Sequence, residues 1–169
     1  MRARAGAVEF LEQLSRLGVP TLVVSAGFED LIRAFLLAQG FGCPASNVRI
    51  CSNRWVHEPT TGALQRIDPS PPITGYNKEQ TYDRNRDWFD AHAAAGRRHL
   101  LVVGDSLGDV RCTEGVPSSW TTTSVGIYNE RDGRHPLENY AQTFTAVLCG
   151  NAASLGPIQD LVDGMGGGS

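Results

Sequence analysis

Two aspartates stand four residues apart in "HLLVVGDSLGDV" (His99–Val110), directly behind an apolar run that ends in glycine. Gly104 and Gly108 let the backbone turn tightly, and the turn brings the charges of Asp105 and Asp109 together. Like charges at a strand terminus are unfavourable unless a cation or a lysine neutralises them. Oxygen-only donors of this kind suit Mg²⁺, which keeps several waters and takes few carboxylates alongside substrate phosphate. The plainer alternative is a tight turn with Asp109 capping the next helix.

Two other stretches carry residue types that fit an anion. In "VVSAG", Ser25 ends an apolar run and Ala26 and Gly27 lead into a helical pattern. A small hydroxyl beside free backbone N–H groups at a helix N-terminus makes a phosphate cradle, although serine is also an ordinary N-cap. In "GYNKEQ", Lys78 opens a helix, where the helix dipole already supplies positive charge. A lysine kept there is either held for an anionic ligand or solvated at the surface.

The elements that would position these residues alternate. Ala7, Phe10, Leu11, Leu14 and Leu17 repeat at helical spacing and stop at Gly18. "VPTLVVS" reads as a buried strand. A second helix follows with Phe28, Leu31, Ile32, Phe35 and Leu36 on one stripe and Gly40 at its end. "NVRICSN" is a short strand, and "TTG" before "ALQRI" marks a hairpin. A polar helix is expected from Lys78 to about Ala95, docked by Trp88 and Phe89. Then come the strand "HLLVVGD", a short helix after Gly108, a strand near "TTSVGIYN", a helix around Leu137, the strand "FTAVLC" and a helix near "LGPIQDLVD". Short apolar strands alternating with helices imply a parallel sheet covered on both faces, whose ligands bind at the carboxyl ends of the strands. All three candidate stretches lie at a strand end or a helix start.

Composition excludes several classes. A chain of 169 residues suits one domain, read as residues 1–163 with a glycine-rich flexible tail at 164–169. The net charge of -3 and the lack of any Lys/Arg run speak against nucleic acid, and no apolar stretch is long enough for a membrane span. The first residues run straight into a helical pattern, so no signal peptide is expected. Cys43, Cys51, Cys112 and Cys149 form no CxxC and no zinc-like spacing with histidine; buried thiols in a cytoplasmic protein are the default. His57, His92, His99 and His135 form no cluster, Trp55 is expected in core or turn packing, and "NERDGRHP" reads as a solvated loop. Neither GxGxxG nor GxxxxGK[ST] occurs, which argues against dinucleotide and phosphate-loop readings. In a receiver domain the acids would precede the lysine; here they follow it.

Ser25, then Lys78, then "GDSLGD" resemble, in order, the second, third and fourth motifs of the haloacid dehalogenase superfamily. Within it, "VVSAGFEDLI", "CSN", "TGAL", "NK", "VVGDSLGDVR" and "VGIYNER" are similar to signature stretches of the cytosolic (type III) pyrimidine 5'-nucleotidases, from about Gly6 to Leu161. Phosphoserine phosphatases share the Ser, Lys and GD elements and are the nearest competitor. The resemblance implies a three-layer α/β/α Rossmann-like core and Mg²⁺-dependent hydrolysis of nucleoside monophosphates to nucleoside and phosphate. It further implies that Ser25, Ala26 and Gly27 contact the phosphoryl group and Lys78 neutralises its oxygens. Asp105 would bind Mg²⁺, and Asp109 would steady Lys78 or the metal's water shell.

One departure limits this reading. The superfamily's first motif, DxDxT, supplies the nucleophile and the general acid, and no D-x-D occurs in these residues. The strand that carries it is central, and a cap domain follows it, so both are expected to be absent from this chain. The two flanking strands would then close up, accept another segment, self-associate, or belong to a longer protein. The chain alone is expected to be a weak or inactive phosphatase, with a non-catalytic nucleotide-binding or interaction module as the alternative.

Overall fold

The computed structural model describes residues 3–41, 47–130, 135–150 and 154–166, so Cys43 and part of the "NERDGRHP" loop lie outside the described residues. The strands and helices alternate as expected. Helix α1 (Ala7–Arg16) leads to strand β1 (Thr21–Phe28), helix α2 (Glu29–Ala38), and the hairpin strands β2 (Val48–His57) and β3 (Leu64–Asp68). Helices α3 (Thr81–Arg84) and α4 (Arg86–Ala94) precede β4 (His99–Gly104), β5 (Thr121–Tyr128), α5 (Leu137–Thr143), β6 (Ala146–Cys149) and α6 (Gly156–Gly166). Residues Lys78–Gln80 and Leu107–Thr113 form 3₁₀ helices.

The strands form two sheets of three. In the first, β1 and β2 are parallel and β2 and β3 antiparallel. In the second, β4, β5 and β6 are all parallel, with β5 in the middle. Among the described residues no ladder joins β1 to β4, so the two strands have not closed up on each other.

This separation corrects one expectation. "VPTLVVS" reads as a buried strand, yet every described residue of β1, and of β4 as well, is half-buried or exposed. An apolar strand is fully covered only when neighbours flank it on both edges. β5 has both, and Ser124, Val125, Gly126 and Ile127 are buried in succession.

The main core lies where α1 and α6 cover β5: Phe10, Leu14, Val125, Ile127, Leu155, Ile158 and Val162 form one cluster. Each such side chain contributes roughly 1.5–3 kcal/mol of burial free energy. Buried Gln13 stitches the two helices, its amide donating to Asp163 Oδ1 (2.7 Å) and Gln159 O (3.2 Å).

Other expectations shift in detail. The helix from Lys78 to Ala95 is broken at Asn85, whose φ of -127° is not helical. Its amide donates to Thr81 O (2.9 Å) and Cys51 Sγ (3.2 Å), so it ends one segment while its carbonyl starts the next. β2 runs past Asn53 to His57, because the expected hairpin return strand pairs with Arg54–His57 and extends it. Cys149 is exposed and Cys51 and Cys112 are half-buried, so none of these thiols is a fully buried one. Burial still holds the Cys112 thiol above its ordinary pKa. Trp55 is 36% exposed and stacks on Phe28, ring centroids 4.1 Å apart, rather than entering the core. Phe89 does dock its helix, contacting Tyr82, Trp88 and Trp120. Helix α6 reaches Gly166, three residues short of the chain end. None of the described helices is long and apolar enough to cross a membrane.

Candidate active site

Lys78 and Asp109 meet. The Lys78 ammonium donates to Asp109 Oδ1, and the two side chains are only 15% and 11% exposed. The other carboxylate oxygen, Oδ2, accepts the Ser106 N–H at 2.9 Å. Ser106 in turn is the N-cap of the 3₁₀ helix, its hydroxyl accepting the Gly108 N–H at 3.3 Å. Asp109 therefore acts both as capping group and as counter-ion, uniting the two readings of the turn. Gly104 is dictated by this packing: a Cβ there would lie 2.3 Å from Asp109 Oδ2 and 2.4 Å from its Cβ.

The loop before Lys78 is built to reach this turn. Asn77 closes it locally, accepting the Thr74 N–H (2.7 Å) and donating to Pro72 O (2.8 Å). A Cβ on Gly108 would come within 3.1 Å of Gly75 O, so the loop lies directly against the acidic turn. Arg111 fastens them further through Tyr76 O (3.2 Å), Glu79 (3.2 Å) and Glu114 (2.9 Å). The carboxylates of Glu114 and Glu79 hold its guanidinium pKa above the ordinary value.

Asp105 is not drawn into the pair. It is exposed, its carboxylate makes no hydrogen bond or ion pair among the described residues, and its carbonyl accepts the Tyr140 hydroxyl at 2.7 Å. Buried Tyr140, packed against Tyr128 and Phe144, thus holds the backbone from which the Asp105 side chain projects.

Ser25 lies in the other sheet. β1 continues through it to Phe28 with a register break between Val24 and Phe28, and α2 begins only at Glu29. The Ser25 loop is therefore a bulge in a strand rather than a helix N-cap. Its hydroxyl accepts the Gly27 N–H at 3.0 Å, and Ala26 and Gly27 are exposed. Among the described residues no hydrogen bond joins Ser25 directly to Lys78 or Asp109; its loop is tied toward them through Asn53. Asn53, Asn77, Ser106, Arg111 and Tyr140 had no assigned role at the level of sequence. The signal available for Asn53 was a polar residue closing the apolar strand segment "RICSN".

The donors do not make a metal site by themselves. Among the described residues no group of three or more His, Cys, Asp and Glu gathers to hold a metal ion. Asp109 is engaged by Lys78 and Ser106, leaving one open carboxylate, Asp105. A single exposed carboxylate does not fit Mg²⁺ without further ligands.

A family model described as pyrimidine 5'-nucleotidase (UMPH-1) matches residues 1–163. The chain belongs to the pyrimidine 5'-nucleotidase family. It is 30% identical over 159 residues to a putative cytosolic 5'-nucleotidase 3 of Caenorhabditis elegans, covering 94% of this chain and 41% of that one. It is 32% identical over 142 residues to a 7-methylguanosine phosphate-specific 5'-nucleotidase of Drosophila melanogaster, covering 83% of this chain and 42% of that one. A crystal structure of cytosolic 5'-nucleotidase IIIB bound to cytidine superposes with a TM-score of 0.77 at 29% identity, over 95% of this chain and 51% of the other. The haloacid dehalogenase-type α/β fold follows from that likeness. The chain spans about half or less of the length of these relatives.

Proposed function

We propose that this chain carries the phosphate-holding part of a 5'-nucleotidase site for nucleoside monophosphates, pyrimidine nucleotides first among them. The observation that carries the reading is the secluded Lys78–Asp109 pair at the carboxyl end of β4, packed against the loop that presents Lys78. A lysine held by one carboxylate oxygen keeps two N–H donors for a phosphate. The hydroxyl of Ser25 and the exposed backbone of Ala26 and Gly27 contact the phosphoryl oxygens in this reading. Lys78 neutralises their charge, Asp109 orients Lys78, and Asp105 offers a carboxylate to a cation completed by other groups. Such positioning and charge neutralisation is most of what phosphoryl transfer requires of a protein.

No residue here is assigned as nucleophile or general acid, since no D-x-D is present. Residues 1–163 are read as one core unit, and the likeness to a putative cytosolic 5'-nucleotidase of the nematode supports a cytosolic setting. The missing acids favour a second reading, a nucleotide-binding module without turnover. The test is release of phosphate from CMP and UMP with Mg²⁺, beside direct binding of the same nucleotides. Binding that Lys78→Ala abolishes, with negligible turnover, is the expected result. Turnover at ordinary enzyme rates of about 1–10³ per second would contradict it. Coding sequence upstream of Met1 that encodes an in-frame D-x-D strand separates the enzyme from the module.

A further inference from the structure

The two halves of the candidate site belong to sheets that share no ladder, so something other than strand pairing must set their spacing. We infer that Asn53 is a positioning residue that locks the Ser25–Gly27 bulge to the segment presenting Lys78. The inference rests on the phosphate-site reading above and adds a residue to it.

Asn53 lies on β2 opposite Phe28, where the β1 register breaks, and it is 4% exposed. A bulge leaves backbone groups without ladder partners, and the Ala26 carbonyl is one of them. The Asn53 amide meets that need by donating to Ala26 O at 2.9 Å. The same nitrogen donates to Ile73 O at 2.9 Å, and Asn53 Oδ1 accepts the Ile73 N–H at 2.8 Å. The side chain thus pairs with Ile73 as an antiparallel backbone would, while its remaining N–H holds Ala26.

Both donors and one acceptor position are used, which few side chains can match. Aspartate has no amide donors, glutamine is a methylene longer, and leucine of the same shape has neither function. Ile73 is itself buried, and Asn77 closes the four-residue stretch between it and Lys78. A continuous line of fixed groups therefore runs from Ala26 through Asn53, Ile73 and Asn77 to Lys78 and Asp109.

The test needs the wild-type chain and Asn53→Ser. In the wild-type chain, NMR should show both Asn53 side-chain amide protons protected from exchange and correlated through hydrogen bonds with the carbonyls of Ala26 and Ile73. Their rapid exchange would overturn the inference without any variant. In Asn53→Ser, amide exchange should quicken together in residues 25–28 and 73–81 while the β4–β6 sheet keeps its protection. Faster exchange in only one segment, or evenly across the chain, would also overturn it. Titration with inorganic phosphate provides the separate check: the variant should bind about tenfold or more weakly. A wild-type chain that binds no phosphate defeats the phosphate-site reading, yet the exchange coupling still decides the role of Asn53.

Discussion

The β1–β3 sheet and the β4–β6 sheet use similar apolar residues and end in very different states. β5 is flanked on both sides and buries four residues in a row, whereas β1, with "TLVVS", buries none. The same contrast holds for the site residues. Asp109, on the second sheet's side, is 8% exposed and bonded through both oxygens; Ser25, on the first, has one local hydrogen bond beside an exposed loop. Burial, and with it the strength of an electrostatic pair, follows from how many neighbours a strand has rather than from its composition. The β4–β6 half should accordingly be the rigid, energetically expensive half.

The largest expected break is at the ion pair. Asp109→Asn leaves the Lys78 ammonium without its counter-charge in a mostly secluded position and should cost about 3 kcal/mol in denaturant unfolding. A change below about 0.5 kcal/mol, the size of an ordinary surface substitution, would show that the pair is solvated.

Next comes a matched pair in the two sheets. Val125→Ala, at a position 3% exposed in β5, should cost about 2 kcal/mol. Val23→Ala in half-buried β1 should cost about 1 kcal/mol or less. Equal losses would mean that β1 is as well covered as β5.

A smaller effect should appear with pH. Burial, aided by Arg97 and Arg49, lowers the His92 pKa below its ordinary value. A lowered folded-state pKa means that protonation favours the unfolded chain. The stabilisation is complete above the unfolded value of about 6.5 and is lost as pH falls from there through the folded value. His92→Gln should flatten the stability profile on the acid side of about pH 6.5, where an unchanged slope would contradict the assignment. Asp87, lowered by its hydrogen bond to Arg49, titrates below the usual carboxylate range and contributes to loss only in stronger acid.

The smallest effect is at Ser25. Its hydroxyl bonds only within its own loop, so Ser25→Ala should change stability by less than about 0.5 kcal/mol while weakening phosphate binding. A large stability loss would reassign Ser25 to the scaffold.

Much of this was legible in the residues. Helical spacing ending at Gly18 and Gly40, both at positive φ, located α1 and α2. The glycine–aspartate turn called for a cation or a lysine, and Lys78 meets one of its two acids, Asp109, while Asp105 stays exposed. The rest depended on contacts no local pattern carries. The helix after Lys78 breaks because Asn85 turns its amide to Thr81 and Cys51, and Cys51 is distant in sequence. The Ser25 loop looked like an N-cap, but the β1 ladder resumes at Phe28 and delays the helix. The roles of Asn53 and Tyr140 rest on backbone carbonyls of Ala26, Ile73 and Asp105 that folding alone brings near. The half-buried state of β1 and β4 reflects the lack of a ladder between them, which their own apolar residues do not reveal.

Whether the Ser25 loop, Lys78 and the Asp105 turn form one anion site is tested most directly by following backbone amides while phosphate is added in the presence of Mg²⁺. Signals of Ser25, Ala26, Gly27, Lys78 and Asp105 should move along a single binding curve with one dissociation constant. Separate curves for the two sheets, or movement confined to one of them, would contradict a shared site.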